Sequence, residues 1–207
     1  MASMSHVCIL DYGSGNVKSV YNLFASLADE VVISNSREEI ERATHIVLPG
    51  VGAFAPAMRR IHECLPLDVL EREVLAKGKP FLGICVGMQV LAEWGFEFGK
   101  TAGLGWIGGS ISKLDTGDFP LPHIGWNNVE SEGSSALMTG LDNAPDLYFV
   151  HSFVFNPTDP KTEIAWTDYG QRFCSAIGKG NIFGVQFHPE KSQRAGVKLA
   201  KNFLAIS

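Results

Sequence analysis

Glycines stand two residues to either side of Cys85 in the run Phe81-Leu82-Gly83-Ile84-Cys85-Val86-Gly87-Met88-Gln89. Phe81, Leu82 and Ile84 read as the end of a short buried strand. The apolar spacing from Gly87 through Leu91 reads as an amphipathic helix that continues to about Trp94. Cys85 then occupies the turn between them, and Gly-x-Cys-x-Gly is the cysteine form of a nucleophile elbow. Small flanking residues let strand and helix approach closely while the turn lifts the side chain above the sheet edge. The spacing predicts a sulfur free to attack, a helix N-terminus that favours its thiolate form, and a Val86 N–H facing the same space as an oxyanion donor. A chain built around such a turn needs a sheet on which the helix can pack.

The rest of the sequence supplies that sheet. His6 to Asp11, Glu30 to Ser34 and His45 to Leu48 read as strands. Helical spacing follows each of them: from Asn16, an N-cap, through Val20, Leu23, Phe24 and Leu27; over Arg37 to Arg42; and over Phe54 to Ile61 and Leu67 to Ala76. Strands alternating with helices at this pitch predict an α/β fold with a mostly parallel central sheet and helices on both faces. From Gly105 onward short β-like pieces take over: Gly109 to Leu114, Ile124 to Val129, Leu147 to Phe155, Ile164 to Asp168 and Phe173 to Gly178. Gly and Pro turns separate them, which predicts hairpins extending the sheet and a smaller mixed β-sheet alongside. Ile182 to Phe187 is a further buried strand, and Gly196 to Ile206 a closing helix. No repeat, low-complexity segment or linker divides the 207 residues. One domain is expected over 1–207, with 1–5 as a loose leader.

A net charge of −5 and the lack of any basic run argue against a nucleic-acid or membrane-surface binder. The first apolar stretch, Val7 to Leu10, is too short for a signal peptide or a membrane span. Four cysteines with no Cys-x-x-Cys pair fit a reducing cytoplasm better than a disulfide framework or a zinc site. Cys8 and Cys174 lie in apolar runs as inert core residues, Cys64 has no visible base, and Cys85 alone has the context of a nucleophile. No set of His, Asp and Glu has metal-ligand spacing, and no cofactor motif is complete. Gly13-Ser14-Gly15-Asn16 follows the first strand, but Lys18 stands where a dinucleotide fingerprint needs glycine. That segment reads as a turn and helix cap, or as a contact surface for a partner.

Two further segments carry chemistry. Pro49-Gly50-Val51-Gly52-Ala53-Phe54 follows the third strand, at the sheet edge where open α/β folds place their sites, and its glycines allow N–H groups to turn towards a ligand. In Gln186-Phe187-His188-Pro189-Glu190-Lys191 the proline holds His188 extended, so His188 and Glu190 project to one side. An imidazole beside a carboxylate is the base and orienter that a thiol nucleophile needs. His151 and His123 are weaker candidates for lining a pocket. His6, His45 and His62 have no supporting context.

Together these segments resemble the class I, triad-type glutamine amidotransferases, and in particular the glutaminase subunits of imidazole glycerol phosphate synthases, over essentially all of Val7 to Leu204. The resemblance rests on Asp11-Tyr12-Gly13-Ser14-Gly15-Asn16, Leu48 to Phe54, Gly83 to Gln89, Pro122-His123-Ile124-Gly125-Trp126-Asn127 and Gln186 to Ser192. It implies a flavodoxin-like fold and a glutaminase that uses no cofactor. The ammonia it makes from L-glutamine would pass to a separate (β/α)₈-barrel cyclase subunit, its partner in a heterodimer. By motif, Cys85 is the nucleophile, His188 the general base and acid, Glu190 the orienter, and Val86 and Gly52 the oxyanion donors. Gln89, Glu97, His151, Ser152 and Phe153 would hold glutamine, with Glu97 on the α-ammonium group. Asn16, Trp126 and Lys191 would face the cyclase. A relative feeding a sugar amidotransferase, or a free-standing hydrolase of γ-glutamyl peptides, remains open on these residues alone.

Overall fold

The computed structural model describes residues 4–131, 135–141 and 144–207. In the first half, β1 (His6–Leu10), α1 (Val17–Ala25), β2 (Glu30–Ser34), α2 (Arg37–Arg42), β3 (His45–Leu48), α3 (Phe54–Cys64), α4 (Leu67–Glu71, continued by a π turn over Arg72–Ala76), β4 (Phe81–Ile84) and α5 (Val86–Gln89) follow one another. The second half is mostly β: β5 (Trp94–Gly95), β6 (Thr101–Ala102), β7 (Gly109–Lys113), β8 (His123–Asn128), β9 (Asp146–His151), β10 (Phe153–Pro157), β11 (Glu163–Tyr169), β12 (Gln171–Lys179) and β13 (Ile182–Val185), closed by α6 (Gln193–Leu204).

The main sheet runs β2-β1-β3-β4-β13-β12-β10-β7-β5-β6, with β11 added to β12. Its first five strands are all parallel. Every residue of β1, β3, β4 and β13 is buried, which is why these strands read as unbroken apolar runs rather than as alternation. From β12 onward most pairings are antiparallel, the hairpin extension that the turn-rich second half predicts. The smaller sheet is a two-stranded antiparallel ribbon of β8 and β9. No helix among the described residues is long and apolar enough to cross a membrane.

Three expectations are corrected. The helix after Cys85 stops at Gln89 rather than near Trp94. Its next carbonyls are claimed from outside: Leu104 N–H donates to Val90, Ile107 N–H to Leu91 and Gly105 N–H to Ala92, while Trp94 and Gly95 join the sheet as β5. The single strand expected over Leu147 to Phe155 is two strands broken at Ser152, because β9 pairs with β8 in the ribbon while β10 pairs with β7 in the main sheet. Of the leader expected over 1–5, residues 1–3 lie outside the described residues. Ser5 is not loose, since its N–H and hydroxyl both donate to Asp29 Oδ2 and its carbonyl accepts from Glu30.

Candidate active site

The loops that follow β1, β3, β4 and β13 leave one edge of the parallel half of the sheet, where such folds place their sites. Cys85 lies one residue beyond β4 with φ 55 and ψ −112, a left-handed conformation for a side chain that carries a Cβ. Such a residue costs about 1–3 kcal/mol and persists only where its surroundings impose it. Here they do. A Cβ on Gly87 would lie 1.9 Å from the Leu48 carbonyl oxygen, and one on Gly83 would lie 2.3 Å from the Gly87 oxygen. The two glycines therefore let the first turn of α5 press directly onto β3 and β4, and the pivot of that turn is Cys85.

His188 follows β13 with φ −104 and ψ 95, the extended geometry that Pro189 requires of it. Its N–H donates to the Tyr148 carbonyl of β9 and its carbonyl accepts from Ser192 Oγ, so its backbone is held on both sides. The ring Nδ1 donates to Glu190 Oε1 at 2.9 Å, which leaves Nε2 as the nitrogen available to the neighbouring Cys85. Burial disfavours the charged imidazole, but hydrogen bonds to Cys85 and Glu190 and their negative charge outweigh it and raise the group to about 9. Burial likewise raises Glu190, yet its bonds to His188 and Asn16 bring it below the ordinary carboxylate range. Cys85, His188 and Glu190 thus stand in one buried row, sulfur to imidazole to carboxylate.

A cavity of about 280 Å³ opens over this row. Its lining includes Cys85, Val86, Val51, Gly52, Gln89, Glu97, His151, Ser152, Phe153, His188 and Lys191. Val86 is the first residue of α5, so its N–H has no acceptor inside the helix. Gly52, at φ 96, has no atom within 4 Å of the position a Cβ would take, so its peptide borders open space. Glu97 is anchored at the head of α3, where the Phe54 N–H donates to its Oε2 at 2.7 Å. The cavity lining thus gathers the sequence-derived oxyanion and glutamine-binding candidates, while Glu190 stands behind His188.

Beneath the cavity, the carbonyl of Phe153 accepts from Gln89 Nε2 at 3.0 Å and from His151 Nδ1 at 3.1 Å. Because a carbonyl only accepts, His151 carries its proton on Nδ1, and its Nε2 must accept from His123 Nδ1 at 3.0 Å. His123 Nε2 in turn accepts from Asn127 Nδ2 at 3.3 Å. His123 is stacked between Phe149 and Tyr169. Burial pushes His123 down to about 4, and burial together with the neighbouring His123 pushes His151 down to about 3. Both rings are neutral, and every ring nitrogen is committed.

The candidates for a partner surface divide. Trp126 is about half exposed on β8, packed edge-on against Tyr148, and Lys191 Nζ lies 5.4 Å from the centre of the Tyr148 ring. Asn16 is instead buried and makes no side-chain cap for α1. The start of α1 packs on the Pro189–Lys191 turn, so the amide meets Glu190 instead: Nδ2 donates to Oε1 at 3.0 Å, and Oδ1 accepts from Ser14 Oγ at 2.8 Å. Sequence reasoning missed Gln186, whose Nε2 donates to Cys85 Sγ at 3.6 Å. Its signal in the sequence is an amide inside the apolar run Val185-Gln186-Phe187, and the structure buries it completely. Cys8 and Cys174 are buried, and burial pushes Cys8 up to about 12 and Cys174 well above its ordinary value. No cluster of three or more His, Cys, Asp or Glu able to hold a metal occurs among the described residues.

Comparison with known proteins fits this geometry. The sequence pattern of the class-I glutamine amidotransferases matches residues 8–206. The imidazole glycerol phosphate synthase subunit HisH of Rhodospirillum rubrum is 42% identical, over 96% of this chain and 97% of that protein. HisH of Zymomonas mobilis is 45% identical, over 97% and 95%. A crystal structure of a glutamine amidotransferase superposes with a TM-score of 0.74 over 97% of both chains, at 19% identity, a likeness of fold. The chain belongs to the class-I glutamine amidotransferases and, within them, to the family of imidazole glycerol phosphate synthase HisH subunits.

Proposed function

We propose that the cavity hydrolyses the side-chain amide of L-glutamine and that the ammonia passes to a (β/α)₈-barrel cyclase subunit, which forms imidazole glycerol phosphate in histidine biosynthesis. The observation that carries this reading is the buried row of Cys85, His188 and Glu190, whose first two members line the cavity. The names of the relatives, each a subunit of a synthase, support a partner that consumes the product.

The chemistry follows from that row. The Cys85 sulfur gives its proton to His188 Nε2 and its electron pair to the amide carbon of glutamine, while the carbonyl π pair moves onto oxygen. The Val86 and Gly52 N–H groups stabilise that oxyanion. The oxyanion collapses, the C–N bond breaks, and His188 protonates the leaving nitrogen, which departs as ammonia and leaves a γ-glutamyl thioester. Water deprotonated by His188 then attacks the thioester, and the C–S bond breaks to give glutamate and free Cys85. Glu190 holds the imidazole in the Nδ1–H tautomer and balances its charge each time the proton arrives. Glu97, pinned at the head of α3, offers a carboxylate to the substrate's α-ammonium group.

The test mixes the purified chain with a candidate cyclase and follows glutamine hydrolysis with and without the cyclase's ligand. Cys85→Ala should abolish hydrolysis while the complex still turns over added ammonium salts. Hydrolysis that survives the substitution overturns the assignment of the nucleophile. A wild-type chain that never forms a complex overturns the assignment of the partner.

A further inference from the structure

We propose that Gln186 is a further catalytic residue: its side-chain amide donates a hydrogen bond to the Cys85 sulfur, and Gln89 fixes the amide in the orientation that does so. The inference rests on the reading of Cys85 as nucleophile and adds a second donor, beside protonated His188, for the charge on the sulfur.

The placement follows from strand register. β4 and β13 pair Ile84 with Val185, and the Cys85 N–H donates to the Val185 carbonyl, so the next residue of each strand, Cys85 and Gln186, are neighbours. Gln186 is completely buried, and its Nε2 lies 3.6 Å from Sγ, within reach of an N–H···S bond. Its Oε1 accepts from Gln89 Nε2 at 3.0 Å, and Gln89 Nε2 also donates to the Phe153 carbonyl at 3.0 Å.

These contacts decide which way each amide faces. The Phe153 carbonyl can only accept, so Gln89 must turn its amino group towards it. The second hydrogen of that amino group reaches Gln186, which must answer with oxygen. The amino group of Gln186 is then left facing the sulfur. Reversing Gln186 would set two amino groups against each other and aim a carbonyl oxygen at the nucleophile. One backbone carbonyl therefore sets, through two side chains in series, the polarity of what the sulfur meets.

A thiolate is a far better acceptor than a thiol, so a fixed N–H selects the charged form. The donor matters more here because α5 has only four residues and brings little of the aligned dipole of a long helix. The Val150 carbonyl, 3.9 Å from the sulfur, can accept only from the thiol. Gln186 and His188 thus favour the ionised sulfur, against Val150. The competing account is that Gln186 is a buried core amide whose hydrogen bonds serve packing alone.

The experiment measures alkylation of Cys85 by iodoacetamide in the full chain, read by mass spectrometry of the Cys85 peptide, for the wild type and for Gln186→Met, which keeps the volume and removes the donor. We expect the rate at pH 7 to fall about 10- to 100-fold, the range for losing a hydrogen bond to a charged group, and the deficit to narrow at pH 10, where hydroxide favours the thiolate in both chains. An unchanged rate at pH 7, or a loss equal at both pH values, overturns the proposal. Should Gln186→Met fail to fold, Gln89→Met gives the same readout with a smaller deficit, since it frees the Gln186 amide to rotate; no deficit there overturns the proposal as well. Labelling of wild-type Cys85 by a glutamine-analogue electrophile tests the nucleophile separately. A labelled wild type alongside an equally reactive Gln186→Met chain sinks this inference and leaves the proposed function standing.

Discussion

Asn16 Nδ2 and His188 Nδ1 donate to the same atom, Glu190 Oε1, at 3.0 and 2.9 Å. The other carboxylate oxygen, Oε2, is buried without a hydrogen-bond partner among the described residues. Asn16 therefore sets which oxygen the imidazole meets, although it does not line the cavity. Asn16→Ala should lower kcat for glutamine about 10- to 100-fold, the scale of a hydrogen bond to a charged group, with KM little changed. Asn16→Asp should be worse, because it sets a second negative charge against Glu190. Steady-state kinetics of the chain with its cyclase decide the matter. A raised KM at constant kcat would mean that Asn16 touches substrate instead.

Glu97→Gln should raise KM for glutamine tenfold or more while leaving thermal unfolding unchanged. The amide oxygen can still accept from the Phe54 N–H, but the charge proposed to face the α-ammonium group is gone. Glu97→Ala should raise KM similarly and also lower stability by about 1 kcal/mol, because it leaves the head of α3 without its side-chain acceptor. Calorimetry beside the kinetics separates the two roles.

The His123–His151 pair gives stability a pH dependence with a definite sign. Both groups lie below the ordinary value of 6.5, so between about pH 6.5 and 4 the unfolded chain binds protons that the folded chain refuses. Their contribution is complete above 6.5 and is lost as the pH falls through that window, at no more than about 1.4 kcal/mol per pH unit for each group. His123→Phe fits the aromatic slot between Phe149 and Tyr169 and removes one of the two titrations. Urea unfolding from pH 7 to 4.5 should show a shallower loss in the variant. Parallel curves would mean that the pair does not titrate there.

The glycines around Cys85 should differ from the one in the neighbouring loop. Gly87→Ala drives a methyl into the Leu48 carbonyl and should destabilise the chain by about 3 kcal/mol or more, abolishing activity with it. Gly52→Ala meets no neighbouring atom and carries only the strain of φ 96, about 1–2 kcal/mol. Any loss of activity there beyond the loss of fold would come from the peptide's own orientation. Chemical denaturation of both variants beside their glutaminase rates makes the comparison.

Local pattern made much of this visible. The buried runs of β1, β3, β4 and β13 and the glycine spacing about Cys85 follow from short-range sterics, and Pro189 biases His188 to an extended backbone. What escaped was set by distant partners. Asn16 looked like a helix cap because caps are local, whereas its partner Glu190 lies 174 residues away. The helical period persists past Gln89, but nothing local says that residues 104–107 will take the carbonyls of Val90, Leu91 and Ala92. Gln186 was conspicuous as an amide in an apolar run, yet only the β4–β13 register reveals that it sits beside the sulfur. The break at Ser152 arises from a choice between two sheets, and no turn residue announces it.

That break has a structural outcome. The run from Asp146 to Pro157 is sewn into the ribbon at one end and into the main sheet at the other, with Ser152 alone between the two strands. Val150 and Phe153, whose carbonyls meet Cys85 and Gln89, flank it. The ribbon that bears the half-exposed Trp126 thus runs on, through a single residue, into the backbone that meets Cys85 and Gln89.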